Sequence, residues 1–184
     1  MPERDKATGD LGLVQAFVNT LDLVPGTEAL QDPNTLGEWL VANGLMRPGE
    51  PVDEGDLKHA LAVREAMRAV IGGNSGRKVY PVEIATLNEA AGASGLRMRF
   101  GRDGMARLEP EAGGPVGAMG RLVAAFYSAM HQPDWKYLKL CGDDECRWVY
   151  FDRSKNHSSR WCTMETCGNR AKARRFRQKR AQSA

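Results

Sequence analysis

Cysteine is missing from the first 140 residues of this 184-residue chain. No disulfide and no thiolate metal site can therefore form within that stretch. Long hydrophobic runs are missing too. None approaches the ~20 residues that a membrane-spanning helix needs, so no membrane partner is expected. Histidine is confined to His59, His131 and His157. With no histidine pair, phosphate-binding loop or nucleophile–base constellation, an enzyme is not expected. The opening Met1-Pro2-Glu3-Arg4-Asp5-Lys6 is polar and shows no secretory signal. The expectation is a cytoplasmic protein, in which paired cysteines hold metal more often than they form disulfides.

What is there is unevenly distributed. Hydrophobic residues make up 42% and charged residues 27%, as in ordinary soluble proteins, and the length suits one domain plus a small appendage. The net charge of +3 conceals a split: residues 134–184 hold 13 basic and 6 acidic side chains, leaving a mildly acidic body. Such a split points to a polyanionic partner for the tail. All four cysteines lie in that tail, as Cys141/Cys146 and Cys162/Cys167, with four residues inside each pair and fifteen between the pairs. Two short thiolate loops suit one tetrahedral zinc ion per chain, and four thiolates leave no open position, so the site is structural. His157 is an unneeded fifth candidate. An acid-free run follows: Arg170, Lys172, Arg174, Arg175, Arg177, Lys179 and Arg180.

The body, residues 10–132, reads as helical with one hairpin. Residues 1–9 read as a frayed leader. The first helix carries Val14, Phe17, Val18 and Leu21 on one face, until Pro25-Gly26. A second starts at an Asp32-Pro33 cap, buries Leu36, Trp39 and Leu40, and ends at Gly44. A third, capped by Asp53, runs to Gly72-Gly73 with Leu57, Leu61, Met67 and Ile71 on its stripe. A fourth from Pro81 presents Ile84, Leu87 and Ala91. Leu96, Met98 and Phe100 alternate with arginines as in a half-buried strand, Asp103-Gly104 turns, and Met105–Glu109 returns. A fifth helix buries Val116, Met119, Val123, Tyr127 and Met130, and Pro133 marks a boundary.

Arg64 falls on the core side of the third helix. A buried guanidinium must be paired, either with an internal carboxylate or with an anionic small-molecule effector. Asn19 is either a second polar wall of that cavity or a hydrogen bond fixing helix packing. Both alternatives stay open at this point.

The tail, residues 134–181, reads as a small zinc finger of treble-clef type: a strand over Trp135–Leu140, a reversal at Gly142, a strand over Arg147–Phe151, and a helix bearing the last cysteines. Thr163 or Thr166 is its candidate cap. A helix from Thr163 to Arg180 would extend about 27 Å. Arg170, Arg174 and Arg177 then share one face, and Lys172, Arg175 and Lys179 another. With Arg160, Asn169 and Arg180, these are the candidate nucleic-acid contacts.

Cys167-Gly168-Asn169-Arg170, with Phe151–Asn156, Arg160-Trp161-Cys162 and Arg170-Ala171-Lys172, resembles the CGNR zinc finger. Ala16–Thr20, Leu36–Leu40 and Val63-Arg64-Glu65 resemble the ABATE domain that usually precedes it. The resemblance implies a bacterial, stress-induced transcription regulator, with zinc on Cys141, Cys146, Cys162 and Cys167. Position 157 is often glycine in the finger pattern, and here it is histidine. The expected partner is double-stranded DNA, with nucleoid association when bound and a homodimer reading paired half-sites. A protein-docking module of the transcription machinery and a redox sensor acting through zinc release are the competing readings.

Overall fold

A computed structural model describes residues 6–182. Helix α1 (Gly9–Val18) leads into a short ladder of β1 (Leu21–Asp22) and β2 (Thr27–Glu28). Helices α2 (Pro33–Ala42), α3 (Glu54–Gly73) and α4 (Pro81–Ser94) follow, then the hairpin β3 (Arg97–Phe100) and β4 (Ala106–Glu109), and then α5 (Gly114–Met130). A single 3₁₀ turn, Trp135–Tyr137, precedes the antiparallel pair β5 (Leu138–Leu140) and β6 (Val149–Phe151). A wide helical turn, Met164–Gly168, opens into α6 (Asn169–Gln182). The architecture is mainly α with small antiparallel ladders. Among the described residues no helix is long and apolar enough to cross a membrane.

Local chemistry sets the helix starts. Asp32 and Asp53 each accept a hydrogen bond from the backbone N–H three residues on, and Thr35 and Asp56 return the bond to the cap. Pro33, Pro81 and Pro115 sit in the first turn, where a missing N–H costs nothing.

The core is built on α1, α3 and α5, with Val14, Phe17, Val18, Val63, Met67, Ile71, Leu122 and Phe126 buried. It differs from the sequence expectation in several places. Helix α1 ends at Val18, before Leu21, which is only half-buried in β1. Of the predicted leader, Ala7 packs on the core and its N–H reaches Gln15 at 2.7 Å; residues 1–5 lie outside the described chain. Trp39 and Leu61 are only partly buried.

Helix α5 buries Ala118, Met119, Leu122, Phe126 and Ala129, whereas Val116, Tyr127 and Met130 are exposed. The reason is its small-residue face. A Cβ at Gly120 would come within 2.5 Å of the Ser94 side chain, so glycine there lets α4 close in. For the same reason α4 seats Ala90 and Ser94 and leaves Ile84 exposed. The β3–β4 hairpin is present, but β3 is exposed along its whole length: Met98 and Phe100 are 64% and 75% exposed. Its alternation of arginine and apolar residues reflects cross-strand pairing, with Arg99 near Glu109, and not a covered face.

The finger strands are not separate from this core. Leu138, Leu140 and Val149 belong to the same buried cluster as the helices. Around them runs a polar seam. Asn19 Nδ2 donates to the Val149 carbonyl at 2.7 Å, and its Oδ1 accepts from the Val149 N–H at 2.9 Å. Gln15 donates to the same carbonyl at 3.1 Å. Arg68 bonds the carbonyls of Val18 and Arg147, Asn74 those of Trp135 and Leu138, and Ser75 both the N–H and C=O of Leu140.

Candidate metal centre and nucleic-acid interface

The four cysteines converge although β6 and a long loop separate the pairs in sequence. Strand β5 delivers Cys141, and its N–H is held by the Trp148 carbonyl at 2.9 Å. The N–H groups of Cys146 and Arg147 both bond the Asp143 carbonyl, closing a tight knuckle. Arg147 turns the chain into β6 with φ of 49°, in the left-handed region. Gly142 serves a different end from the expected reversal: a Cβ there would lie 3.0 Å from the Arg160 carbonyl and 3.2 Å from the Trp161 ring. Thr163 occupies the cap position of the last turn, but its side chain makes no capping bond. The predicted continuous helix from Thr163 is a wide turn followed by α6, and the wide turn carries Cys167.

All four sulfur atoms lie within 4.8 Å of one another. Cys162 Sγ is 3.7 Å from both Cys146 Sγ and Cys167 Sγ. A tetrahedron with zinc–sulfur bonds of about 2.3 Å has edges of about 3.8 Å, so the cluster fits the ion. Its proton chemistry agrees. Hydrogen bonds from Cys146 and Cys162 pull the Cys141 thiol down to about 2. Donation to Cys141 pushes Cys146 up to about 12, the same contacts drive Cys162 up, and burial raises Cys167. Four negative thiolates at this spacing require a cation, and a divalent ion that displaces the protons supplies it. Cys141, Cys146, Cys162 and Cys167 hold one zinc ion.

The acid that organises the surroundings is Asp143, in the knuckle, with its side chain 1% exposed. Arg170 Nε donates to its Oδ2 at 2.8 Å, and Arg174 Nη2 to its Oδ1 at 2.8 Å. Arg170 also reaches Cys167 Sγ at 3.3 Å. Two of the expected nucleic-acid contacts are thus used to dock α6 on the zinc centre, together with buried Ala171. Asn169 caps back onto the Glu165 carbonyl at 3.0 Å. Lys172, Arg175, Arg177, Lys179 and Arg180 are exposed on α6, and Arg160 is exposed beside the Trp161 ring. Phe176 is 62% exposed.

Two family models match the chain. The CGNR zinc finger matches residues 137–180, and ABATE, described as "Putative stress-induced transcription regulator", matches residues 11–131. The chain belongs to the ABATE family. No curated protein matches it. In this ABATE-family chain the two matched segments share the buried cluster and seam described above.

Arg64 is 3% exposed, on the core side of α3 as its position implies. Its Nη1 donates to Glu28 Oε1 at 2.7 Å and to Thr20 Oγ1 at 3.0 Å, and its Nε to Glu65 at 3.2 Å. The internal-carboxylate alternative describes this pairing. Asn19 is likewise a packing hydrogen bond, to Val149. A groove of about 960 Å³ opens elsewhere, between α1, α5 and the β3–β4 hairpin, with Leu13, Leu108, Ala124 and Tyr127 in its walls.

Sequence reasoning missed Asp143, Arg68 and Asp152. Arg68 had a signal, being one turn after Arg64 on the same stripe. Asp143 also had one: an acid inside the first cysteine pair, with arginines four apart beyond the second.

Proposed function

We propose that this ABATE-family regulator binds double-stranded DNA through α6, with zinc fixing the helix on the body and the body acting as sensor. The observation that supports this most is the division of α6 into two faces. Arg170 and Arg174 are both bound to Asp143, while Lys172, Arg175 and Lys179 lie on the opposite face, exposed, with no acid after Glu165. At 100° per residue these three share one side of the helix, suited to a row of phosphates. Docking through Asp143 gives that row a fixed direction, which a solvated basic tail lacks.

The sensing half belongs to the groove between α1, α5 and the hairpin and not to Arg64, whose guanidinium already has Glu28, Glu65 and Thr20. The groove is large enough for a small effector. The proposed role involves no catalysis.

The test is fluorescence anisotropy of zinc-loaded protein on a mixed-sequence duplex across a salt series. Four phosphate contacts, from Lys172, Arg175, Lys179 and Arg160, predict a log–log slope of about −3.6. Lys172→Ala/Arg175→Ala/Lys179→Ala should flatten it to about −0.9. If the loaded protein ignores duplex DNA even at low salt, the proposal is lost. Capture of polymerase subunits under those conditions would favour the protein-docking alternative.

A further inference from the structure

The loop between β6 and Cys162 takes no part in holding zinc, yet it is built with unusual care. Its only acid, Asp152, has a side chain 1% exposed. The carboxylate accepts from Lys139 Nζ at 2.7 Å, from Ser154 N–H and Oγ at 3.0 and 2.6 Å, and from Ser159 N–H at 3.0 Å. Burial alone would raise its pKa, but these bonds outweigh burial and hold it below the ordinary carboxylate range. Lys139 also reaches the His157 carbonyl, so one lysine clips both sides of the loop.

His157 fixes the tip. Its φ is 46°, the left-handed conformation that explains why glycine suits this position. The histidine is held there in two ways. Its ring stacks on Tyr137 at 3.8 Å and 20°, and Nδ1 lies 2.7 Å from the Asp152 carbonyl. A carbonyl only accepts, so Nδ1–H is the donor of that bond.

With the acid turned inward, the side chains left outside are Arg153, Ser154, Lys155, Asn156, His157, Ser158 and Arg160. Three are cations and none is an acid. Arg153 and Arg160 lie over the rings of Phe151 and Trp161, and Arg153, itself exposed, also donates to the Lys6 carbonyl at 2.8 Å. Trp161 in turn lies beside both Gly142 and Gly168, joining the end of the loop to the turn that launches α6. Two basic elements therefore adjoin one zinc centre, with Trp161 packed between its two glycines.

We propose that the loop Arg153–Arg160 is a second, preformed contact to the DNA backbone, gripping phosphates alongside α6. This rests on the DNA-binding reading above. A loop already ordered by Asp152, Lys139 and the His157–Tyr137 stack loses little freedom on binding, so its cations add affinity at low entropic cost.

The experiment uses the zinc-loaded full chain and the same mixed-sequence duplex over 50–300 mM salt. With Arg153 and Lys155 engaged, six contacts steepen the expected wild-type slope from about −3.6 to about −5.4. Arg153→Ala/Lys155→Ala should weaken binding about tenfold at 100 mM salt and return the slope to about −3.6, at unchanged zinc content. Lys155→Ala alone changes one exposed side chain and should reduce the slope by about 0.9. Should both variants bind with the wild-type slope while Lys172→Ala/Arg175→Ala/Lys179→Ala binds poorly, the loop inference falls and the α6 reading stands. If the wild-type chain does not bind duplex DNA, both fall. Tighter binding of single-stranded RNA than of duplex, lost in the loop variants, would overturn the duplex assignment.

Discussion

The helical body and the zinc finger are held together by different forces. The body closes by apolar burial: Val14, Phe17, Leu40, Val63, Met67, Ile71 and Leu122 are all at 1% exposure or below. The finger has no comparable core of its own. Apart from the side of its strands that joins the body, its buried cluster is Cys141, Cys146, Tyr150 and Cys167, edged by Trp148 and Trp161. A unit that small cannot stay folded on apolar contact alone. It borrows stability twice, from a metal ion on one side and from the body on the other. The difference teaches that the finger is not an independent module here. Its hairpin is the sealing layer of the helical core.

Stripping zinc is the strongest way to break this comparison. Chelation of the reduced protein, or Cys162→Ser, should unfold the finger, since structural zinc contributes about 10–16 kcal/mol in zinc-finger peptides. Far-UV circular dichroism should retain most of the α1–α5 helicity at low temperature, while Trp148 and Trp161 fluorescence shifts toward that of exposed indole. Complete loss of helicity on chelation would show that the body has no stability of its own.

Next in size is Arg68→Ala. It strands the carbonyls of Val18 and Arg147 and leaves Glu65 with one fewer partner, and the expected loss is about 3–5 kcal/mol by urea unfolding. Asn19→Ala removes two bonds to Val149 and is expected to cost about 1–3 kcal/mol. Hydrogen exchange should show that loss concentrated at β6. Equal deprotection of α2 and α4 would mean that Asn19 does not act at the seam. Phe100→Ala, on a ring 75% exposed, should stay within about 0.5 kcal/mol of wild type. A larger loss would place the hairpin in the core.

Much of this was legible in the chain beforehand. Asp32 and Asp53 announce their helices because a carboxylate ahead of an apolar stripe has one obvious task. The four cysteines announce a metal because two matched thiol pairs close together in the chain suit one tetrahedral ion. Burial in α4 and α5 was misjudged because large apolar residues were preferred over small ones. In α5 it is Gly120 that lets α4 close in, and the buried face carries small residues, so Tyr127 and Met130 are left outside. Asn19 and Arg64 were rightly singled out as polar residues on inward faces, but a sequence does not show which partner such a residue meets. Val149 is 130 residues from Asn19, and Glu28 is 36 from Arg64.

By itself, then, the sequence determined the helix starts, the zinc ligands and the concentration of positive charge at the end of the chain. Each of these depends on residue type and on neighbours within a turn or a short loop. Only the tertiary structure decided that Asp143 ties down Arg170 and Arg174 and so presents the other face of α6, and that Asp152 folds inward while its loop's cations face out. Those outcomes depend on which distant groups become neighbours. A buried carboxylate and an arginine 27 residues away meet only where the two cysteine loops converge.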